Sequence, residues 1–242
     1  MKKLSLLLGG VILSTAVMAQ KPTEGAPMSL EGNVNGLAAF SFGQSTPANL
    51  NNAAGPNISV AGLRFRYFAT ENIAVRVSLG FNSTKRTQNF YENPTDLSGG
   101  AGTFVSKNGS TTIGIGGEYH FKGTEKLSPY AGLDINFGMG KNTTVGEQGN
   151  ATLGWIGADY SEESERKASG FGVGLVAGTD YYFAENFYLG VELGLGFNAH
   201  TLKEGMSSTT SGGITTETKT AEEKNSSFAT NVQGLFRLGW RF

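Results

Sequence analysis

Phe187-Tyr188-Leu189-Gly190-Val191-Glu192-Leu193-Gly194-Leu195-Gly196-Phe197 carries an apolar side chain at every odd position and tyrosine, glycine or glutamate at every even one. A period of two is the signature of a β-strand, whose successive side chains leave opposite faces; a helix would show a period near 3.6. One face of this segment is continuously apolar. The other is small, with a single charge.

The same design recurs along the chain. Leu30 to Phe42 alternates Val34, Gly36, Ala38, Phe40 and Phe42 with Glu31, Asn33 and Asn35. Leu63, Phe65 and Tyr67 alternate with Arg64 and Arg66, and Ile73 to Phe81 alternates with Ala74, Arg76, Ser78 and Gly80. Ile113, Ile115, Tyr119 and Phe121 oppose Gly114, Gly116, Glu118 and His120, and Ala131 to Met139 opposes Gly132, Asp134, Asn136 and Gly138. Phe171, Val173, Leu175, Tyr181 and Phe183 oppose Gly172, Gly174, Gly178 and Asp180, while Phe228, Val232, Phe236, Leu238, Trp240 and Phe242 oppose Asn231, Gln233, Arg237 and Arg241. These are eight segments of one kind, which predicts an all-β fold: an eight-stranded antiparallel up-and-down transmembrane β-barrel. Such barrels alternate an apolar outer face with a polar lumen, because in lipid only helices and closed sheets satisfy every backbone group.

Composition narrows the functions. The net charge is −1, with 19 Lys and Arg against 20 Asp and Glu, so no basic field exists for nucleic acid. Cysteine is absent, which excludes disulfides, thiolate metal sites and a cysteine nucleophile. Glycine, at 36 of 242 residues, is about twice its usual share. Met1-Lys2-Lys3, the apolar run Leu4 to Ala16 and the small-residue site Val17-Met18-Ala19 predict a signal peptide over residues 1–19. A periplasmic tail over 20–29 and a barrel over 30–242 are expected to follow, in the outer membrane of a Gram-negative bacterium.

The connections alternate in length. Thr70-Glu71-Asn72, Gly123 to Lys126 and Ala184-Glu185-Asn186 are tight turns, whereas Gln44–Asn57, Ser83–Gly109, Lys141–Lys167 and Ala199–Ser226 are predicted to be long extracellular loops. Aromatics sort to both ends of the apolar face. Tyr67, Tyr119, Phe121, Tyr181, Phe183, Phe187, Trp240 and Phe242 lie toward the short turns, and Phe42, Phe81, Phe137 and Phe197 toward the long connections, as two interfacial girdles require.

Charges on the polar parity form the candidate site. Arg64, Arg66, Arg76 and Arg237 face Glu118, Asp134, Asp180 and Glu192, four cations against four anions at similar depth. The expectation is a paired ionic network near mid-membrane that plugs the lumen, since an eight-stranded barrel is just wide enough for side chains to fill it. A conducting filter would favour one sign.

The alternation, Pro129-Tyr130-Ala131-Gly132 opening the fifth segment, and the terminal Phe236, Trp240, Arg241 and Phe242 resemble the OmpA/OmpX-type family of small outer-membrane barrels. Arg237 stands where the fuller family pattern has glycine. The resemblance implies that Phe236, Trp240 and Phe242 are the signal read by the barrel-assembly machinery. It also implies lipid and lipopolysaccharide as surroundings, and a role in envelope integrity, adhesion or slow solute passage. The family often carries a peptidoglycan-binding domain after the barrel, which is not expected here because the chain stops at Phe242.

Other chemistry finds little support. Gly172, Gly174 and Ala177 with Glu192 imitate a dinucleotide fingerprint, but no helix follows to meet a pyrophosphate. His120 is expected on the lumen side near a short turn, and His200 opens a long connection that carries Ser207 and Ser208, with no base placed beside a nucleophile. No His or carboxylate cluster has metal-ligand spacing, so no enzyme, cofactor or metal site is expected. Asn89-Phe90-Tyr91 and Trp155-Ile156 put aromatics among polar residues of the loops, where they either anchor a surface ligand of unspecified identity or pack a loop onto the barrel rim. The leading expectation is a non-enzymatic barrel with a mostly plugged lumen; a small diffusion channel and a loop-borne adhesin or ligand-binding protein are the alternatives.

Overall fold

The computed structural model describes residues 25–34 and 62–242, with the side chains of 33–34 and 229–236 excepted. The expected signal peptide, Phe42 and the connection Gln44–Asn57 lie outside the described residues, as does the Phe236 side chain.

Twelve strands are present among the described residues, and all are antiparallel to their partners. They are β1 (Met28–Val34), β2 (Gly62–Phe68), β3 (Ile73–Asn93), β4 (Ser98–His120), β5 (Leu127–Glu147), β6 (Gly149–Asn150), β7 (Gly154–Trp155), β8 (Ser161–Ala184), β9 (Phe187–Leu202), β10 (Gly205–Ser211), β11 (Ile214–Thr220) and β12 (Glu223–Arg241). The eight alternating segments, so far as they are described, fall on β1–β5, β8, β9 and β12. The pairings run β8–β5–β4–β3–β2–β1–β12–β9, and β8 also pairs with β9. At the chain ends, Met28 and Phe242 exchange two backbone hydrogen bonds of 3.0 and 2.8 Å. Strand β1 therefore begins two residues inside the expected tail.

The tight turns have local causes. The Thr70 hydroxyl accepts from the Ile73 amide at 3.0 Å, and Asn186 takes a φ of 65°, which asparagine tolerates better than most residues. The opposite connections correct the loop expectation. Ser83–Gly109 is not a loop: β3 and β4 stay in register from Ile73↔Tyr119 to Tyr91↔Ala101 and turn only at 94–97. Lys141–Lys167 likewise continues β5 and β8 as far as Glu147↔Ser161, and Ala199–Ser226 contains the β10–β11 hairpin, whose β10 pairs with β8. Polar, threonine-rich sequence reads as loop because it has no apolar face. Yet strand pairing is a backbone property, and water on both faces suits a polar ribbon.

The two parities separate by burial. Leu63, Phe65, Ile115, Leu133, Leu175, Leu193 and Leu238 are exposed, while Arg66, Arg76, Tyr130, Tyr182, Tyr188 and Arg237 are the large buried side chains. This inverts a soluble core and suits a sheet whose outer solvent is apolar. The girdle aromatics Tyr67, Tyr119, Phe121, Tyr181, Phe187, Trp240 and Phe242 are exposed on the outer parity, as are Phe81, Phe137 and Phe197, while Phe183 is half-buried.

Candidate functional site

Each of the eight strands β1–β5, β8, β9 and β12 contributes to a single ionic cluster on the buried face. Glu31 comes from β1, Arg64 and Arg66 from β2, Arg76 from β3, Glu118 from β4, Asp134 from β5, Asp180 from β8, Glu192 from β9 and Arg237 from β12. Alternation sends them inward. Register then brings together residues that lie 33 to 206 positions apart.

Arg64 donates to both oxygens of Glu192 at 3.0 and 3.1 Å, and its Nε donates to the Ser78 hydroxyl. Arg66 reaches Glu31 at 2.6 Å, Asp180 at 2.7 Å and Glu118 at 2.9 Å. Arg76 meets Glu192 at 2.7 Å and Glu118 at 2.8 Å, and grips Asp134 through Nε at 2.6 Å and through Nη2. Arg237 joins Asp180 at 2.7 Å to Glu31 at 3.2 Å. Two phenols complete the carboxylate shells: Tyr130 donates to Glu192 at 2.6 Å and Tyr188 to Glu31 at 2.7 Å. His120 lies between Glu118 (3.0 Å) and Ser128 (2.9 Å).

The cluster is dry. Its side chains are at most 8% exposed except Asp134, at 16%. Arginine suits this setting because its planar fork serves several carboxylates at once and its faces accept aromatic rings. The Arg66 guanidinium lies 5.0 Å from the Tyr188 ring centre and Arg237 lies 5.1 Å from that of Tyr130; below them Arg241 covers Phe68 at 4.0 Å and donates to the Ala26 carbonyl at 2.6 Å. Glycine makes the room. A Cβ at Gly190 would come within 2.5 Å of Arg237 Nη2, and one at Gly116, Gly178 or Gly239 would collide with Asp134, Tyr130 or Tyr188.

All eight expected residues thus meet in one network, on the side of the short turns where Tyr130, Tyr182, Tyr188 and His120 are also buried, with one correction. The anions number five against four arginines, because Glu31 is fully buried among Arg66, Arg237 and Arg64. Parity already put Glu31 on the polar face, and a balanced four-against-four count hid it.

The remaining motifs stay apart. In the strand register His200 faces Gly170 and Asn225, whereas Ser207 faces Ser164 and Thr218, and Ser208 faces Glu163 and Glu217. Among the described residues no group of three or more His, Asp or Glu is arranged to hold a metal ion. Gly172, Gly174 and Ala177 lie within β8, with no helix behind them. The aromatic motifs do converge: Asn89–Glu92 and Leu153–Trp155 line one cavity of about 330 Å³ at the hairpin ends.

An antiparallel sheet that is apolar on its exposed face, girdled by aromatics and carrying paired charge on its buried face defines the class of outer-membrane β-barrels. The chain belongs to the family described as Putative OmpA-OmpF-like porin family, whose model matches residues 50–242. It is also similar to the solution NMR structure of the E. coli outer membrane protein W, with 18% identity over 91% of this chain and 100% of that one and a TM-score of 0.29. No curated protein matches the chain.

Proposed function

We propose that the chain is an eight-stranded up-and-down barrel whose lumen is closed by its own ionic network, and that it serves envelope integrity as a non-enzymatic outer-membrane protein. The ring of pairings supports eight strands, since β1, β2, β3, β4, β5, β8, β9 and β12 each have two neighbours within it, β8 pairing with β10 besides, and β8–β9 returns the sheet to its start. The observation that carries the closed lumen is the convergence of four arginines on five carboxylates from all eight strands, almost none of it exposed. A wet channel lined by one sign of charge would leave its ions hydrated and unpaired. The surroundings are outer-membrane lipid and lipopolysaccharide, and the terminal Phe236, Trp240 and Phe242 are the segment offered to the barrel-assembly machinery. Planar-bilayer recording tests the reading. Near-silent wild-type protein is expected, and steady ion-selective conductance would replace the plug with a diffusion channel.

A second reading, surface recognition, is favoured by the cavity between the Phe90 and Trp155 hairpins. Its size is at the lower end of small-molecule sites. Loss of cell-surface ligand binding on replacing both aromatics by alanine, with the barrel still folded, is the result expected of that role.

A further inference from the structure

Three pairs of exposed lysines stand beyond the outer aromatic row. In the first, Lys141 lies directly across from Lys167, and Glu165 bridges them at 2.8 and 3.4 Å. In the second, Lys203 and Lys224 share Glu222 at 3.3 and 3.2 Å. In the third, Lys85 lies directly across from Lys107, and no carboxylate of the described residues lies within ion-pair distance of either. Like charges directly opposite on a sheet are destabilising. Two of the pairs are relieved by an anion supplied in the chain. The third has no such anion among the described residues.

The surface around that pair is shaped for one. Gly109 lies two residues below Lys107 on the same face, across from Ser83 on one side and Lys141 on the other. A side chain there would meet nothing nearer than the Asn82 carbonyl at 3.9 Å, so the floor is open, and Thr143 across from Lys107 adds a hydroxyl at the rim. Depth names the source of the anion. Two rows below the pair, beneath Ser83–Gly109–Lys141, runs Phe81–Thr111–Met139, with Phe81 68% and Met139 64% exposed. Two rows are four residues, or about 14 Å along a strand, and less along the axis of a tilted barrel. The two lysines therefore stand above the last apolar row, at the level of headgroups.

We propose that Lys85 and Lys107, above the open floor at Gly109, bind a phosphate of an outer-leaflet glycolipid. This inference rests on the membrane placement of the barrel and deepens it by assigning a lipid site. Its stabilising effect has the logic of Glu165 and Glu222: an anion between two ammonium groups, here delivered by the membrane.

The test uses the full chain. Wild-type protein is first folded into phosphatidylcholine vesicles and checked by heat-modifiable gel mobility; failure to insert overturns the membrane reading and the site with it. For inserted protein, binding of labelled lipid A is compared with that of lipid A stripped of its phosphates. The double variant Lys85→Gln/Lys107→Gln is expected to lose about 10- to 30-fold in affinity for the phosphorylated lipid, at roughly 1 kcal/mol per surface lysine. Lys203→Gln, whose pair has its own glutamate, is expected to bind as wild type. Gly109→Glu supplies the anion in the chain and is expected both to lose lipid A binding and to unfold later than wild type in phosphatidylcholine. Unchanged affinity in the double variant, equal binding of the dephosphorylated lipid, or full displacement by equimolar inorganic phosphate would each overturn the lipid site while leaving the barrel in place.

Discussion

Arg76→Ala tests closure and stability together. The guanidinium holds Glu118, Asp134 and Glu192 at once, and those carboxylates fare differently without it. Glu118 keeps Arg66 at 2.9 Å and Glu192 keeps Arg64 at 3.0 Å, but Asp134 has no second ion partner among the described residues. Breaking a buried pair typically costs about 3–5 kcal/mol through the charge left behind. Asp134 is the most exposed member of the cluster, so the lower end of that range, about 3 kcal/mol, is expected. With a urea dependence of about 1–3 kcal/mol per molar, the midpoint should fall by about 1–3 M. The same deletion removes the group that links β3 to β9 across the lumen, so bilayer conductance should rise. Arg76→Met separates the two effects: it restores bulk without charge and should be destabilised yet remain silent. Adding Asp134→Asn to Arg76→Ala should recover part of the lost stability, because the stranded charge goes with it. A midpoint unchanged from wild type in Arg76→Ala, with no conductance, would refute the view that pairing holds the lumen shut.

Deleting Phe242 removes the backbone exchange with Met28 and the ring that lies 4.7 Å from Trp240, so folded protein in the outer membrane should fall and periplasmic fragments should rise; fractionation followed by gel mobility measures both. Glu31→Gln should destabilise about as strongly as Arg76→Ala, since Arg66, Arg237 and the Tyr188 hydroxyl all converge on that carboxylate, and urea unfolding in vesicles reads the comparison. Burial, and then the hydrogen bond to Glu162, raise the Tyr160 phenol above its ordinary value. A raised pKa means that its stabilising contribution is whole below about pH 10 and is lost as pH climbs through the folded value. Protection of the Asn150 to Leu153 amides, corrected for base-catalysed intrinsic exchange, should therefore fall above about pH 10 as the Tyr160–Glu162 hydrogen bond is lost, and Tyr160→Phe should remove that fall.

The period-two alternation determined by itself that this chain is β, which parity faces lipid and which faces inward, and where the tight turns fall. Those are local properties: a side chain's face follows from its position in the strand, and Thr70 or Asn186 turns the backbone through groups of its own. Ser83–Gly109 shows the limit of such reading, because hydrogen bonding along a polar ribbon depends on a partner strand and leaves no apolar pattern. The inward charges were legible as a set, yet their partners were not. Arg64 meets Glu192 across 128 residues and Arg66 meets Asp180 across 114, distances set by the register of all the intervening strands. Glu31 shows the same thing most clearly. Alternation put it on the polar face, but only the pairing of β1 with both β2 and β12 brings Arg66 and Arg237 to its carboxylate. A strand's own sequence specifies which way a side chain points. What it meets there is decided by how the other strands are staggered against it.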